Sequence, residues 1–207
     1  MSSKGGSGTT ITACATALKA ASQHGSALFI DLCGDVPAAL GMSEPNTPGI
    51  NEWLAENQTA DGEALLLLGN STANGLIVIH RGNKFVEGQP RWCDLAHVLS
   101  SMPMPVFIDA GNSFVPDELR AIAKHVVLVT RQCYLSLRRA TLLPKPTGVV
   151  VVEEDGRALN AKDIEYVVGS PILATIPITP ALCRAVDAGL FTSRYEHICG
   201  DYLPELM

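Results

Sequence analysis

Short apolar runs recur along the chain, and most close on a polar or charged residue. They are Ala27 to Ile30 before Asp31, Gly75 to His80, Val106 to Asp109 with its aspartate at the C-terminal end, Val126 to Thr130, Gly148 to Val152, and Ile172 to Ile176. Unbroken hydrophobicity, without alternation, predicts strands buried on both faces, as in a parallel sheet. Segments with helical spacing lie between them. Ile11 to His24 carries Cys14, Ala17, Leu18 and Ala21 on one face and stops at Gly25. Helices are also predicted over Asp94 to Leu99, Glu118 to Lys124, Tyr134 to Leu143, Ala161 to Val168 behind an Asn160 cap, and Ala181 to Ala188. Gly34 to Gly41 reads as a turn and a short helix, and Pro48 to Leu54 as the start of another. Ala64 to Leu68 fits either a short helix or a strand. This order predicts an α/β fold, a mostly parallel doubly wound sheet with helices on both faces. With no repeat and no linker, residues 1–207 read as one domain.

Composition narrows the function classes. The 15 basic and 21 acidic residues give a net charge of −6, which argues against broad non-specific binding to nucleic acid or anionic lipid. No apolar run approaches the roughly 18 residues that cross a membrane. The six cysteines, Cys14, Cys33, Cys93, Cys133, Cys183 and Cys199, are scattered without a C-x-x-C pair or a His/Cys zinc spacing. That usage, with no signal peptide evident, implies a reducing, cytoplasmic setting. The histidines His24, His80, His97, His125 and His197 share no spacing and read as structural or surface groups.

The candidate chemistry begins at Ser3-Lys4-Gly5-Gly6-Ser7-Gly8-Thr9-Thr10, immediately before the first predicted helix. Three glycines let the backbone curl with its N–H groups inward, and the helix start adds free donors and a positive dipole end, so an anion is the expected guest. The general G-x-x-x-x-G-K-[ST] pattern is not met. The order Lys-Gly-Gly-x-Gly-x-Thr instead resembles the deviant Walker A loop of the MinD/ParA ATPases, which reads Lys-Gly-Gly-x-Gly-Lys-Thr. The resemblance implies bound ATP and Mg²⁺, with Gly5, Gly6, Ser7 and Gly8 shaping the loop and Thr10 a metal ligand. Lys4 matches the signature lysine, which reaches the partner's phosphates across a nucleotide-sandwich dimer. Thr9 stands where the family carries its second lysine. A hydroxyl there brings no charge, so affinity and catalysis are both expected to fall. This loss is often seen in the CpaE/TadZ-like branch, the nearest branch on these residues.

Three further motifs follow in the family's order. Asp109, in Asp109-Ala110-Gly111-Asn112, matches the Walker B aspartate and implies a metal role opposite Thr10. Asp31 matches the first aspartate of the family's Asp-x-Asp switch, but Cys33 occupies the second position. Asp35 reads equally as a replacement carboxylate or as a turn residue. Arg131 lies in the strand-to-helix stretch that the resemblance places beside the nucleotide. Arg138 and Arg139, farther along, face phosphate, DNA or a partner, or form a solvated helix face. Glu153 and Glu154 replace the asparagine that the family offers to adenine, and Ile176-Pro177-Ile178 resembles the final strand and proline turn bordering the base pocket.

The resemblance implies a nucleotide-dependent dimer switch for subcellular positioning of a secretion or pilus machine, a division site or a chromosome region. It is at most a slow ATPase, with Lys4, Asp31 and Asp35 as the candidate catalytic residues. An active ATPase and a scaffold that binds no nucleotide are the alternatives. A protein partner is expected, and DNA is admitted but not favoured. The acidic tail Tyr195 to Met207, broken by Gly200 and Pro204, argues against direct membrane insertion. In the resembled fold a buried strand leads into the loop, whereas only Met1, Ser2 and Ser3 precede it here. The resemblance therefore implies unpaired backbone and an open apolar groove beside the Asp109 strand. A start placed too far downstream is the favoured account, beside a truncation or a loop organised in another way.

Overall fold

The computed structural model describes residues 1–55, 61–83, 86 and 89–206. Its elements run α1 (Thr9–His24), β1 (Ala27–Asp31), α2 (Val36–Ala39), α3 (Ile50–Ala55), α4 (Gly62–Leu66), β2 (Asn70–Ser71), β3 (Leu76–Ile79), α5 (Trp92–Ser100) and β4 (Val106–Asp109). They continue α6 (Asp117–Ile122), β5 (Val127–Arg131), α7 (Tyr134–Ala140), β6 (Gly148–Glu153), α8 (Ala161–Val168), β7 (Ile172–Pro177), α9 (Pro180–Asp187) and α10 (Phe191–Cys199), before a final 3₁₀ turn (Gly200–Tyr202). Of Ala64 to Leu68, open in sequence, Ala64 to Leu66 lies in the helix α4 and Leu67 and Leu68 form the turn after it. The first turn of α4 is capped by Asp61, which accepts from the Glu63 N–H. Asn160 caps α8 in a full capping box with Asp163, as its position predicts.

The strands divide into two sheets, ordered β2-β3-β1-β4 and β5-β6-β7. All pairings are parallel except the short β2 on β3. This differs from the single sheet expected from the sequence. β4 pairs with β1 and β5 with β6, and a cleft of about 720 Å³ opens between β4 and β5. The main chain of Met1 bridges into it from β5. Its nitrogen donates to the Val127 carbonyl at 3.0 Å, and its carbonyl accepts from the Val129 N–H at 2.8 Å. Ser2 N–H reaches the other side, donating to the Gly111 carbonyl at 2.6 Å.

Helices cover both faces, and the two faces differ. On one, α1, α2, α9 and α10 pack in one continuous core against residues of both half-sheets, among them Phe29, Val78, Val129 and Val150. On the other, Leu28 and Ile30 pack with α3, α5 and α6, while Leu128, Val149 and Val151 pack separately with α7 and α8. Helix α1 therefore holds the halves together. Its apolar face is completed by Phe191, Tyr195 and Cys199 of α10.

Candidate phosphate and metal site

The loop before α1 is shaped by two glycines in left-handed backbone, Gly6 at φ 75° and Gly8 at φ 86°. Gly8 is the N-cap of α1, and a Cβ there would lie 3.2 Å from Val152 Cγ2. Its dihedral favours glycine, and any side chain would also press on Val152. The Ser7 hydroxyl donates to the Lys4 carbonyl at 2.7 Å, closing the loop on itself. Thr12 N–H bonds back to Gly8, while the N–H groups of Thr9, Thr10 and Ile11 have no acceptor among the described residues. These are the free donors of a helix start, the arrangement that receives an anion. Lys4, Gly5 and Gly6 are exposed at the mouth of the loop.

Thr10 and Asp109 meet directly. The threonine hydroxyl donates to Asp109 Oδ2 at 2.7 Å, and the other carboxylate oxygen accepts from the Gly111 N–H at 2.8 Å. Asp109 is buried at the C-terminal end of β4, beside Asp31 at the same level of β1. Asp31 is fully engaged with its own loop. It accepts from the N–H groups of Cys33 and Gly34, each at 2.8 Å, and from Val36 at 3.1 Å. Burial raises its pKa, with those three bonds pulling the other way.

Cys33 stands between the two aspartates. Ligand atoms of Asp31, Cys33 and Asp109 lie within 4.8 Å of one another. Cys33 Sγ contacts the Asp109 carbonyl at 3.6 Å, and a side chain at Gly111 would collide with the sulfur. Burial, followed by the charges of Asp109 and Asp31, pushes the Cys33 thiol up to about 12, so at neutral pH it is protonated. The hydroxyl and carboxylates are hard oxygen donors that suit Mg²⁺, and the neutral thiol adds no charge to them.

The remaining predicted residues spread around this centre. Asp35 is exposed at the start of α2 and caps no N–H. Thr9 is buried and lines the cleft between β4 and β5. Arg131, at the end of β5, lines a separate 220 Å³ pocket with Gly8, Ile11 and Val152, and its Nε is buried with no partner among the described residues. Pro177 ends β7 opposite Glu153, and the chain turns through Thr179 into α9. Arg138 and Arg139 are exposed on α7.

Two contributors escaped the sequence reading. Arg81 Nη1 donates to the Cys33 carbonyl at 3.3 Å, bringing a cation to the Asp31 loop. Buried Gln132 ties two loops together, donating to the Leu159 carbonyl at 2.9 Å and accepting from the Glu154 N–H at 3.0 Å. The signal for Arg81 was its place after the β3 strand, where ligand-side loops gather. Gln132 carried none, since an amide in a loop announces no partner.

No protein-family model matches the sequence, and no curated protein does. Solved structures do. A ParA family ATPase from Chlorobium tepidum TLS is 22% identical, with TM-score 0.73 over 94% of this chain and 89% of its own. The MinD cell division protein of Aquifex aeolicus is 19% identical, with TM-score 0.75 over 98% and 91%. The chain has the MinD/ParA fold. A third structure with it, the septum site-determining protein MinD complexed with Mg-ADP from Pyrococcus horikoshii OT3, is 18% identical over 95% and 87%, with TM-score 0.74. In this MinD/ParA fold, the glycine loop, Thr10, Asp31 and Asp109 converge at the C-terminal ends of β1 and β4, where open α/β sheets bind ligands. Among the described residues, no helix is long and apolar enough to cross a membrane.

Proposed function

We propose that residues 1–207 form one nucleotide-binding domain that takes ATP with Mg²⁺ and dimerises around it, as a positioning switch. The observation that carries this reading is the Thr10–Asp109 hydrogen bond beneath the free N–H groups of the loop. It brings together a hydroxyl and a carboxylate that would hold a cation close to the helix start, whose free N–H groups would receive an anion. Mg²⁺, when bound, supplies charge neutralisation for the phosphates. Thr10 and Asp109 hold it, Gly5, Gly6, Ser7 and Gly8 surround the phosphates, and Arg131 and Pro177 border the nucleotide's far end. The buried Arg131 Nε, with no partner among the described residues, supports an anionic or polar guest on that side. The Mg-ADP complex of the Pyrococcus protein with this fold supports the choice of ligand class.

Lys4, exposed at the loop's mouth, reaches toward a second subunit. Hydrolysis is slow in this reading. Asp31 is committed to three N–H groups, Cys33 is a neutral thiol, and Asp35 stands outside the cluster, so no side chain there is poised to take a proton from water. The loop keeps the Lys-Gly-Gly-x-Gly-x-Thr order of a deviant Walker A motif, and the Thr9 and Cys33 replacements fit a CpaE/TadZ-like branch. The proposed output is recruitment of a protein partner in the cytoplasm.

The test is calorimetric titration of Mg-ATP with light scattering on the same samples. Binding with a doubling of mass, the doubling lost in Lys4→Ala, supports the switch. Rapid phosphate release that disappears in Lys4→Ala supports an active ATPase instead. A second reading, a scaffold without nucleotide, is favoured by buried Thr9, which gives the loop no inward charge. It requires that Mg-ATP produce neither heat nor a melting shift.

A further inference from the structure

Asp31 and Asp109 end adjacent strands directly opposite each other, and both are buried. Ion pairs among the described residues join Arg91 to Asp94 and Arg157 to Glu154, so no Lys or Arg there pairs with either carboxylate. The Met1 nitrogen bonds to the Val127 carbonyl instead, and Arg81 Nη1 to the Cys33 carbonyl. Two neighbouring buried carboxylates repel each other and are costly to ionise unless a cation lies against them. Each Asp109 oxygen accepts one hydrogen bond, from Thr10 or Gly111, and Asp31 Oδ2 accepts one from Val36. All three oxygens keep a lone pair for a cation.

The sulfur of Cys33 decides which cation. Its ligand atom and those of the two aspartates lie within 4.8 Å of one another. The Cys33 N–H donates to Asp31 Oδ1 at 2.8 Å, which fixes the peptide that carries the thiol. The fold also leaves room for the sulfur on the β4 side. Gly111 follows β4 at φ 52°, and a Cβ on it would stand 2.5 Å from Cys33 Sγ. Cys33 is half-buried, the most accessible of the three residues. Carboxylates alone suit a hard cation such as Mg²⁺, whereas sulfur ligates Mg²⁺ poorly and Zn²⁺ or Cd²⁺ strongly. A divalent cation that binds the sulfur sends the thiol proton to solvent. The cluster then carries one net negative charge in place of two, with the Arg81 guanidinium on the same loop to offset it.

We propose that Asp31, Cys33 and Asp109 form a site for a thiophilic divalent cation of the Zn²⁺ class, which clamps the Cys33 loop to the end of β4 and competes with Mg²⁺ for Asp109. The inference rests on the reading of Asp109 as a cation ligand, and not on nucleotide binding.

The experiment titrates Cd²⁺, without nucleotide, into the full chain carrying Cys93→Ser, Cys133→Ser and Cys183→Ser, and reads the ultraviolet thiolate-to-metal band. One equivalent is expected to saturate the band, Zn²⁺ to bleach it, and Mg²⁺ to compete at least about 100-fold more weakly than Zn²⁺. Adding Cys33→Ser or Cys33→Ala is expected to abolish the band. Amide exchange, which needs no further substitution, is expected to slow at least about tenfold with Zn²⁺ at Cys33, Gly34 and Gly111 together. No band, or a band that survives both Cys33 variants, overturns the proposal, as does Mg²⁺ competing equally with Zn²⁺. Slowing at Cys33 and Gly34 without Gly111 overturns the clamp to β4. Mg-ATP binding without the band removes this inference and leaves the nucleotide reading, and the band without Mg-ATP binding does the reverse.

Discussion

The Thr10 hydroxyl and Asp109 Oδ2 are 2.7 Å apart, although 99 positions separate them in the chain. The bond ties the first turn of α1 to the end of β4 and satisfies a buried carboxylate oxygen. Thr10→Val keeps the shape and removes the donor. The expected cost is about 1–3 kcal/mol of stability, the range for leaving one buried acceptor without its partner. Urea denaturation measures it, and titration of Mg-ATP is expected to show affinity lowered at least about tenfold. A variant of unchanged stability means that Asp109 finds another donor.

Thr9→Lys separates the two readings of the loop. Thr9 is buried against the cleft, so a lysine there is costly without a ligand. In the nucleotide reading, phosphates repay that cost. The ligand-free variant is expected to melt below the wild type, and Mg-ATP at 100 times Kd to add back about 2.7 kcal/mol. Scanning calorimetry with and without Mg-ATP decides. A melting point that Mg-ATP leaves unmoved counts for the scaffold.

Asp31 gives a pH signature of known sign. Its pKa is raised by burial above the ordinary value of 3.8, so the folded state holds the proton more tightly than the unfolded chain does. Its ionisation costs stability at neutral pH, and that cost is relieved as pH falls through the folded pKa toward 3.8. Asp31→Asn removes this titration and one acceptor for Val36 N–H. The stability of wild type minus variant is expected to rise as pH drops from 7 toward 4, measured by urea unfolding at each pH. A flat or falling difference contradicts the assigned shift.

Two cysteines near the loop are expected to react differently. Hydrogen bonds from the N–H groups of Ser136 and Leu135 lower the Cys133 pKa, while Cys33 is pushed up to about 12. Iodoacetamide at pH 8 is therefore expected to label Cys133 well ahead of Cys33, as read by peptide mass spectrometry. Cys33→Asp puts a third carboxylate beside Asp31 and Asp109. It is expected to melt lower without Mg²⁺ and to gain more from added Mg²⁺ than the wild type does. Equal labelling, or equal Mg²⁺ response, removes the corresponding half of this account.

Much of the architecture was legible because parallel strands buried on both faces are continuous apolar runs. Val106 to Asp109 was read at its observed bounds, and Ala27 to Ile30 fell one residue short of β1. Helix α10 was not read. The tail from Tyr195 reads as acidic and broken by Gly200 and Pro204. The signal was the spacing of four between Phe191, Tyr195 and Cys199, which lines all three up against α1. The site was legible as residue types in order, but their allegiances were not. Asp31 reads as a chemical carboxylate in sequence, while in the fold it shapes the loop from Cys33 to Val36. Where Thr9 settles depends on the cleft beneath α1, which the local sequence does not encode.

Helix α1 precedes both half-sheets in the chain, yet its packing is completed far later in the sequence. Its neighbours include β1, β4 and β5, and its apolar face closes only against α10, more than 160 residues later in the chain. During vectorial synthesis, α1 waits beside the ribosome with Ala17, Leu18 and Ala21 uncovered. The candidate phosphate loop, carried on the N-terminus of α1, therefore rests on a core that is complete only after α10 has been synthesised.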